Sequence, residues 1–446
     1  MRARESRKMT NGEPMNIPAN ASRVALLLAA LIAPVLPACH PLDVSNPAII
    51  QEKQLGDTAM VTVMATGIEA QFENTFGYVA HFTAYFADEL EDGHVYQPHH
   101  PFYRREPDPS NDFVGGTYND VHALRGTADS LGARMQALLG SKALSSISLA
   151  EARVFAGYGF VMLGEDFCGS PINAGPLLTP KQLFDLAITR FKDAIAMANA
   201  SGASNAAQVA NLAAVEAARA ALDAGEDAIA LSYAQQVPAS FQYWVKYSSN
   251  SGAQYNDFWQ SIQSYTPTPI AIEQRWSGVS PSFSGLHDLR IPQTDSALVL
   301  MDTRFFPIPY QPESFSGWKA GADAPFAKDM AILGASGLEA QYIIQEINGP
   351  TLAFLNARRA VGGQAPLAAL PSDPQAELRD QRRRDFYLTG HRLGDLRRYI
   401  TRFGVNQFTT GPVPQVIGRV YAAADSAHVC IPISSSERTG NPNLNP

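Results

Sequence analysis

The chain has 446 residues, of which 46% are hydrophobic and 17% charged, a globular composition with ample material for a large core. Its net charge of −8 argues against general nucleic-acid binding, which needs a basic footprint. Cys39, Cys168 and Cys430 would be ordinary thiols in a cytosolic protein. In an exported one, the apolar run before Cys39 sets that residue apart and leaves an even pair.

The N-terminal segment reads as an address. Arg2, Arg4, Arg7, Lys8 and Arg23 precede residues 24–36, which are almost wholly apolar and match a signal-peptide core in length. A membrane-spanning helix needs about 20 apolar residues, and Pro34 and Pro37 oppose one. Met9 and Met15 are alternative starts that would leave Arg23 as the main positive charge. The run ends in Leu36-Pro37-Ala38-Cys39, which resembles a bacterial lipobox. The resemblance implies cleavage before Cys39 and acylation at that residue. Each buried methylene contributes about 0.8 kcal/mol, so more than one acyl chain anchors stably.

Residues 1–38 are therefore expected to be a lipoprotein signal peptide, residues 39–53 a lipid-anchored tether, and residues 54–446 a single domain. Helical signals dominate that domain. Tyr118, Val121, Leu124, Ala128, Leu131, Met135 and Leu138 fall at spacings of three and four, as one helix face requires. Ser148 to Glu151 has a capping-box pattern opening a second helix. Thr179-Pro180 with Gln182 opens a third, and Asp373-Pro374 a fourth, with Gly390 as its expected C-terminal cap. Residues 205–238 read as helix, turn, helix, with Gly225 at the turn. Ala214, Ala217, Ala218, Ala221 and Ala224 would permit close helix approach, resembling a tetratricopeptide-type hairpin without a strict repeat.

Residues 91–117 and 241–328 differ, being rich in Pro, Gly, Ser, Asn and aromatics. Long irregular stretches on a helical scaffold are usually functional. The second is too long for one structureless loop, so local hairpins are expected, with residues 297–300 as a short strand.

The C-terminal third carries an ordered set of motifs. Glu339-Ala340 shares a helix with Glu346, and Asn356-Ala357-Arg358 follows. Next comes Leu378-Arg379-Asp380-Gln381-Arg382-Arg383-Arg384-Asp385-Phe386. It leads to Gly390-His391-Arg392-Leu393-Gly394-Asp395-Leu396-Arg397-Arg398. Ile431-Pro432-Ile433, Glu437 and Asn441-Pro442 close the series. Earlier, Ala150-Glu151-Ala152-Arg153 precedes Gly169-Ser170-Pro171. This order resembles the SusD/RagB family of outer-membrane nutrient-binding lipoproteins and covers nearly all of the mature chain. Asp385-Phe386 stands where the family has glutamate-leucine, and His391 where it has an acidic residue. Ile-Pro-Ile replaces Pro-Ile-Pro, so the chain reads as a divergent branch.

The resemblance implies a mostly α-helical, SusD-like fold of tetratricopeptide-like hairpins with long irregular loops. It implies a lipid-anchored outer-membrane protein, expected at the cell surface. Such a protein would bind an oligosaccharide or peptide and pass it to a TonB-dependent, SusC-like barrel transporter. Only Asp43 supplies early acidic charge after Cys39, a weak surface-export signal that leaves the leaflet open. The alternative is a helical-repeat scaffold lipoprotein without a small ligand. No catalytic signature such as G-x-S-x-G, a P-loop or H-E-x-x-H is present, so no enzyme and no cofactor are expected.

Ligand contacts are expected from aromatics in the irregular stretches: Tyr96, Phe102, Tyr103, Trp259, Trp276 and Trp318. Large aromatics also serve as packing residues. His94, His99 and His100 lack a third ligand at a metal-binding spacing, so no metal is expected. The arginine cluster at 382–398 reads as structural, with Asp380–Arg384 and Asp395–Arg398 placed to pair along helices. Outside the cytoplasm, Cys168 and Cys430 are expected to join as a disulfide, with isolated thiols as the alternative.

Overall fold

A computed structural model describes residues 54–446 apart from 93–99, 263–276, 280–281, 284–285, 287, 292, 296–309, 313–317, 320–326, 412–427 and 445–446. Cys39 and the expected signal peptide, tether and strand at 297–300 lie outside the described residues. Residues Leu55–Pro446 make up one contact unit.

The N-terminal half is a succession of packed helices: α1 (Val61–Phe86), α2 (Asp112–Leu139), α3 (Ile147–Asp166), α4 (Pro180–Ser201), α5 (Ala206–Asp223) and α6 (Asp227–Ala234). Each of α2 to α5 packs on its successor, and α1 covers α2 and α3. The periodic face expected in α2 is the buried one, with Tyr118, Val121, Leu124, Ala128 and Met135 in the core. Helix α3 is apolar on nearly all sides and buried along most of its length, as a central helix must be.

Local chemistry sets most helix ends. The Thr179 side chain accepts from the Gln182 amide while Gln182 reaches back, completing the capping box that opens α4. Helix α3 begins two residues before the expected box: Ser146 is its cap, accepting from the Leu149 amide at 3.3 Å. Ser148 instead lies inside the first turn and is buried. Gly225, at φ +78°, takes the left-handed turn between α5 and α6 that other residues adopt only with strain. Close approach of α3 and α4 depends on glycine as well. A Cβ on Gly157 would lie 2.5 Å from the Phe191 ring, and one on Gly164 would run into Phe184.

The C-terminal part adds α7 (Gly337–Asn348), α8 (Leu352–Val361), α9 (Pro374–Asp385) and α10 (Arg392–Phe403). Asp373 caps α9 by accepting from the Ala376 amide at 2.9 Å. That helix ends at Asp385, with Phe386 at its C-cap. Gly390, at φ +78°, therefore shapes the turn into α10 and is not the cap of α9. Helix α7 packs on α5 and α6, and α10 on α1 and α3.

A small antiparallel sheet joins distant parts of the chain. Strand β1 (Gln242–Val245) pairs with β3 (Ala331–Ser336), which also pairs with β2 (Trp318–Lys319). Within the irregular stretch, Gln293–Asp295 pairs with Tyr310–Pro312, a local antiparallel pairing of the expected kind. Cys168 and Cys430 are joined by a disulfide with Cα atoms 5.2 Å apart, across 262 residues of sequence. Beside it, the Ile431 amide donates to the Asp166 carbonyl at 2.8 Å and the Cys168 amide to the Ile431 carbonyl at 3.0 Å.

Candidate functional site

Of the aromatic candidates, Tyr96 and Trp276 lie outside the described residues. Phe102 and Tyr103 are 0% and 3% exposed, which corrects the expectation that they contact a ligand. The short helix His100–Tyr103 carries them into the core, with the Phe102 ring 5.4 Å from that of Phe82 on α1. Apolar burial there outweighs the polar, proline-marked character of the surrounding sequence. Trp318 lies on β2, opposite Ile332 of β3.

Trp259 is half-buried on the short helix Asp257–Ile262. Its ring stands edge-on to Tyr255, centroids 5.6 Å apart. The Lys328 ammonium lies 5.1 Å from the Tyr255 ring and 5.3 Å from the Trp259 ring, within cation–π range. Buried Asn256 holds this group in place. Its Nδ2 donates to the Met330 carbonyl at 2.8 Å, and its Oδ1 accepts from the Phe258 amide at 2.9 Å.

The chain leading into this aromatic pair lines a cleft of about 220 Å³ together with α1; Glu73, Asn74, Lys246, Tyr247, Ser248 and Gln254 are among its walls. Burial, reinforced by the charge of Glu69, pushes the Glu73 carboxyl up to about 7 against the pull of Lys246. The cleft therefore offers both donors and acceptors, and its wall ends at Gln254, next in sequence to Tyr255 of the aromatic pair. Trp259, expected as a ligand contact, does not itself line this cleft, and the polar wall was not foreseen from the sequence. Glu73 and Asn74 come from a helix whose other faces are core, and nothing in their spacing marks them.

The arginine block is structural. Arg382 and Arg398 both grip Asp395, at 2.8 and 2.6 Å. Arg398 also pairs with Glu346 at 3.0 Å and Asp223 at 2.8 Å. Arg384 bridges Asp380 at 2.8 Å and Asp288 at 3.0 Å, and Arg383 meets Asp380 at 2.7 Å. Both pairs expected along the helices are thus present. Arg397 donates to the carbonyls of Gly164 and Phe167, each at 3.0 Å. Burial pushes the Asp395 carboxyl up, but Arg382 and Arg398 outweigh it and hold it well below the carboxylate range. Likewise His391, Arg219 and Arg382 overcome burial and hold Glu339 at about 2. Arginines committed in this way are not available to an anionic ligand. Among the described residues, no group of three His, Cys, Asp or Glu side chains is placed to hold a metal.

No protein-family model matches the sequence, and no curated protein is similar to it. Solved structures are similar. A SusD-like carbohydrate-binding protein from Bacteroides vulgatus aligns with a TM-score of 0.64 at 14% identity, over 87% of this chain and 97% of that one. A SusD superfamily protein from the same organism aligns with a TM-score of 0.63 at 14% identity, over 87% and 98%. A protein solved with xylogluco-oligosaccharide aligns with a TM-score of 0.61 at 10% identity, over 86% and 98%. The likeness covers most of the chain, which shares the mostly helical, tetratricopeptide-like fold of these SusD-like structures.

Proposed function

We propose that this chain is a lipid-anchored outer-membrane protein that captures oligomeric nutrients, glycans or peptides, and delivers them to a TonB-dependent barrel transporter without altering them. The observation that carries this reading is the fold. It matches carbohydrate-binding relatives across almost their whole length, in a chain whose N-terminus has an apolar run ending in Leu-Pro-Ala-Cys. We assign capture to the Tyr255–Trp259 pair and to the polar cleft lined by the residues just before it in the chain. Ring faces stack on sugar C–H groups or apolar peptide side chains, while Glu73, Asn74 and Gln254 supply hydrogen bonds.

Microcalorimetry of the full chain in detergent against panels of glycans and peptides tests the reading. Binding of at least one oligomer, weakened about tenfold by Trp259→Ala as loss of a central aromatic contact implies, is the expected result. Silence across both panels would count against capture. A barrel transporter retained equally with and without oligomer would favour a scaffold role instead.

A further inference from the structure

A second cleft, of about 300 Å³, opens between α1, α3, α5 and β1. Glu69, Glu151, Asn205, Tyr243, Trp244 and Lys246 are among the residues lining it. Its volume is at the lower end of the range for small-ligand sites, and no residue of the SusD-like motif set other than Glu151 contributes to it.

The charge in this cleft is unbalanced. Glu69 makes no hydrogen bond or ion pair among the described residues, and Glu151 is held only by the Asn205 amide, Nδ2 donating at 2.9 Å. Burial, followed by the charge of Glu69 once the Asn205 hydrogen bond is set against it, pushes the Glu151 carboxyl upward. Lys246 forms no ion pair with either glutamate among the described residues, and it is exposed.

An independent feature is Tyr243. It is 8% exposed, and it lines the cleft. Its ring packs 6.5 Å from Phe72 on the core side. Among the described residues its hydroxyl makes no hydrogen bond. The ring is nine-tenths buried while the oxygen itself remains accessible, so a ligand in the cleft can supply its partner. Burial, and then the charges of Glu69, Glu73 and Glu151, keep this phenol protonated far above its ordinary range. All three carboxylates therefore act on the same hydroxyl.

We propose that this cleft binds a protonated amine: the ammonium group sits between Glu69 and Glu151, the Tyr243 oxygen accepts one of its hydrogens, and the carbon body lies along the aromatic wall. An ammonium group has three donors and no acceptor, which matches a wall of two carboxylates and a phenol oxygen. A neutral hydroxyl would bond to the same atoms but gain none of the charge attraction. The two clefts share α1 and Lys246 as walls, but this one has its remaining walls on α3, α5 and β1 and does not include the Tyr255–Trp259 pair.

The test is microcalorimetry of the full chain in detergent with 1,5-diaminopentane, and with 1,5-pentanediol as its uncharged counterpart of the same length. Saturable binding of the diamine, with the diol at least about tenfold weaker, is expected, because charge-assisted hydrogen bonds are stronger than neutral ones. Glu151→Gln and Tyr243→Phe should each weaken diamine binding while leaving the thermal transition within a few degrees of the parent. Equal binding of diamine and diol, no binding of either, or variants that bind the diamine as the parent does would each overturn the proposal. Loss of glycan or peptide binding in Trp259→Ala with diamine binding intact would separate the two sites.

Discussion

The arginine block of α9 and α10 and the cleft beside Glu69 and Glu151 both hold charge in half-buried or buried surroundings, yet they differ in balance. In the block each carboxylate is met by guanidinium groups, two of them at Asp395 and at Asp380. In the cleft two glutamates and an unpartnered phenol face one exposed lysine that pairs with neither. Taking charge out of water is tolerable only when an opposite charge and good hydrogen bonds replace the solvent. A matched cluster is thus a structural joint, whereas an unmatched one beside a cavity is open to a ligand. Arginine content alone would have pointed the other way.

Breaking the block should have the largest effect. Asp395→Ala leaves Arg382 and Arg398 without their shared partner, and removing one side of a buried pair costs about 3–5 kcal/mol. Denaturant unfolding should show that loss, and a change under about 1 kcal/mol would mean that the network contributes little.

Glu89 tests the intermediate case, a buried carboxylate with incomplete compensation. It accepts from the Leu388 amide at 2.9 Å. Burial nevertheless pushes it from the ordinary 4.5 up to about 8, against the pull of the Leu388 amide and Arg392. The folded state therefore binds more protons than the unfolded one between those values, and stability falls as pH rises through the window. Melting curves from pH 5 to pH 8 should show this decline, and Glu89→Gln should flatten it. A variant whose decline parallels the parent's would remove Glu89 as a cause.

The smallest effect belongs to the cleft. Glu151→Gln keeps an oxygen that can accept from Asn205 and removes only an unpaired, half-buried charge. Its stability should lie within about 0.5 kcal/mol of the parent, as for substitutions away from packed features. A loss comparable with that of Asp395→Ala would erase the distinction between joint and site.

Much of the helical framework was legible in the sequence because its signals are local. Thr179 with Gln182, Asp373 before Pro374, and the apolar stripe of α2 each occupy a few turns of one helix. Signals that compete over a few residues were less secure. Ser146 and Ser148 can both cap, and burial of Ser148 among the core helices decided between them. Phe102 and Tyr103 have the local chemistry of a binding loop, and only packing against α1 reveals them as core.

By itself the sequence determined the helix-rich class, the hairpin turn at Gly225, the self-pairing of the C-terminal charges along α9 and α10 and the SusD-like motif order. These follow from spacings of three and four and from backbone rules that act within one element. Tertiary structure alone decided the joining of β1 to β3 across roughly ninety residues. It also gathered Glu69, Glu151, Asn205 and Tyr243 around one cavity. Contacts between distant segments depend on how whole faces bury against each other, a property of the assembled core that no short stretch of residues carries.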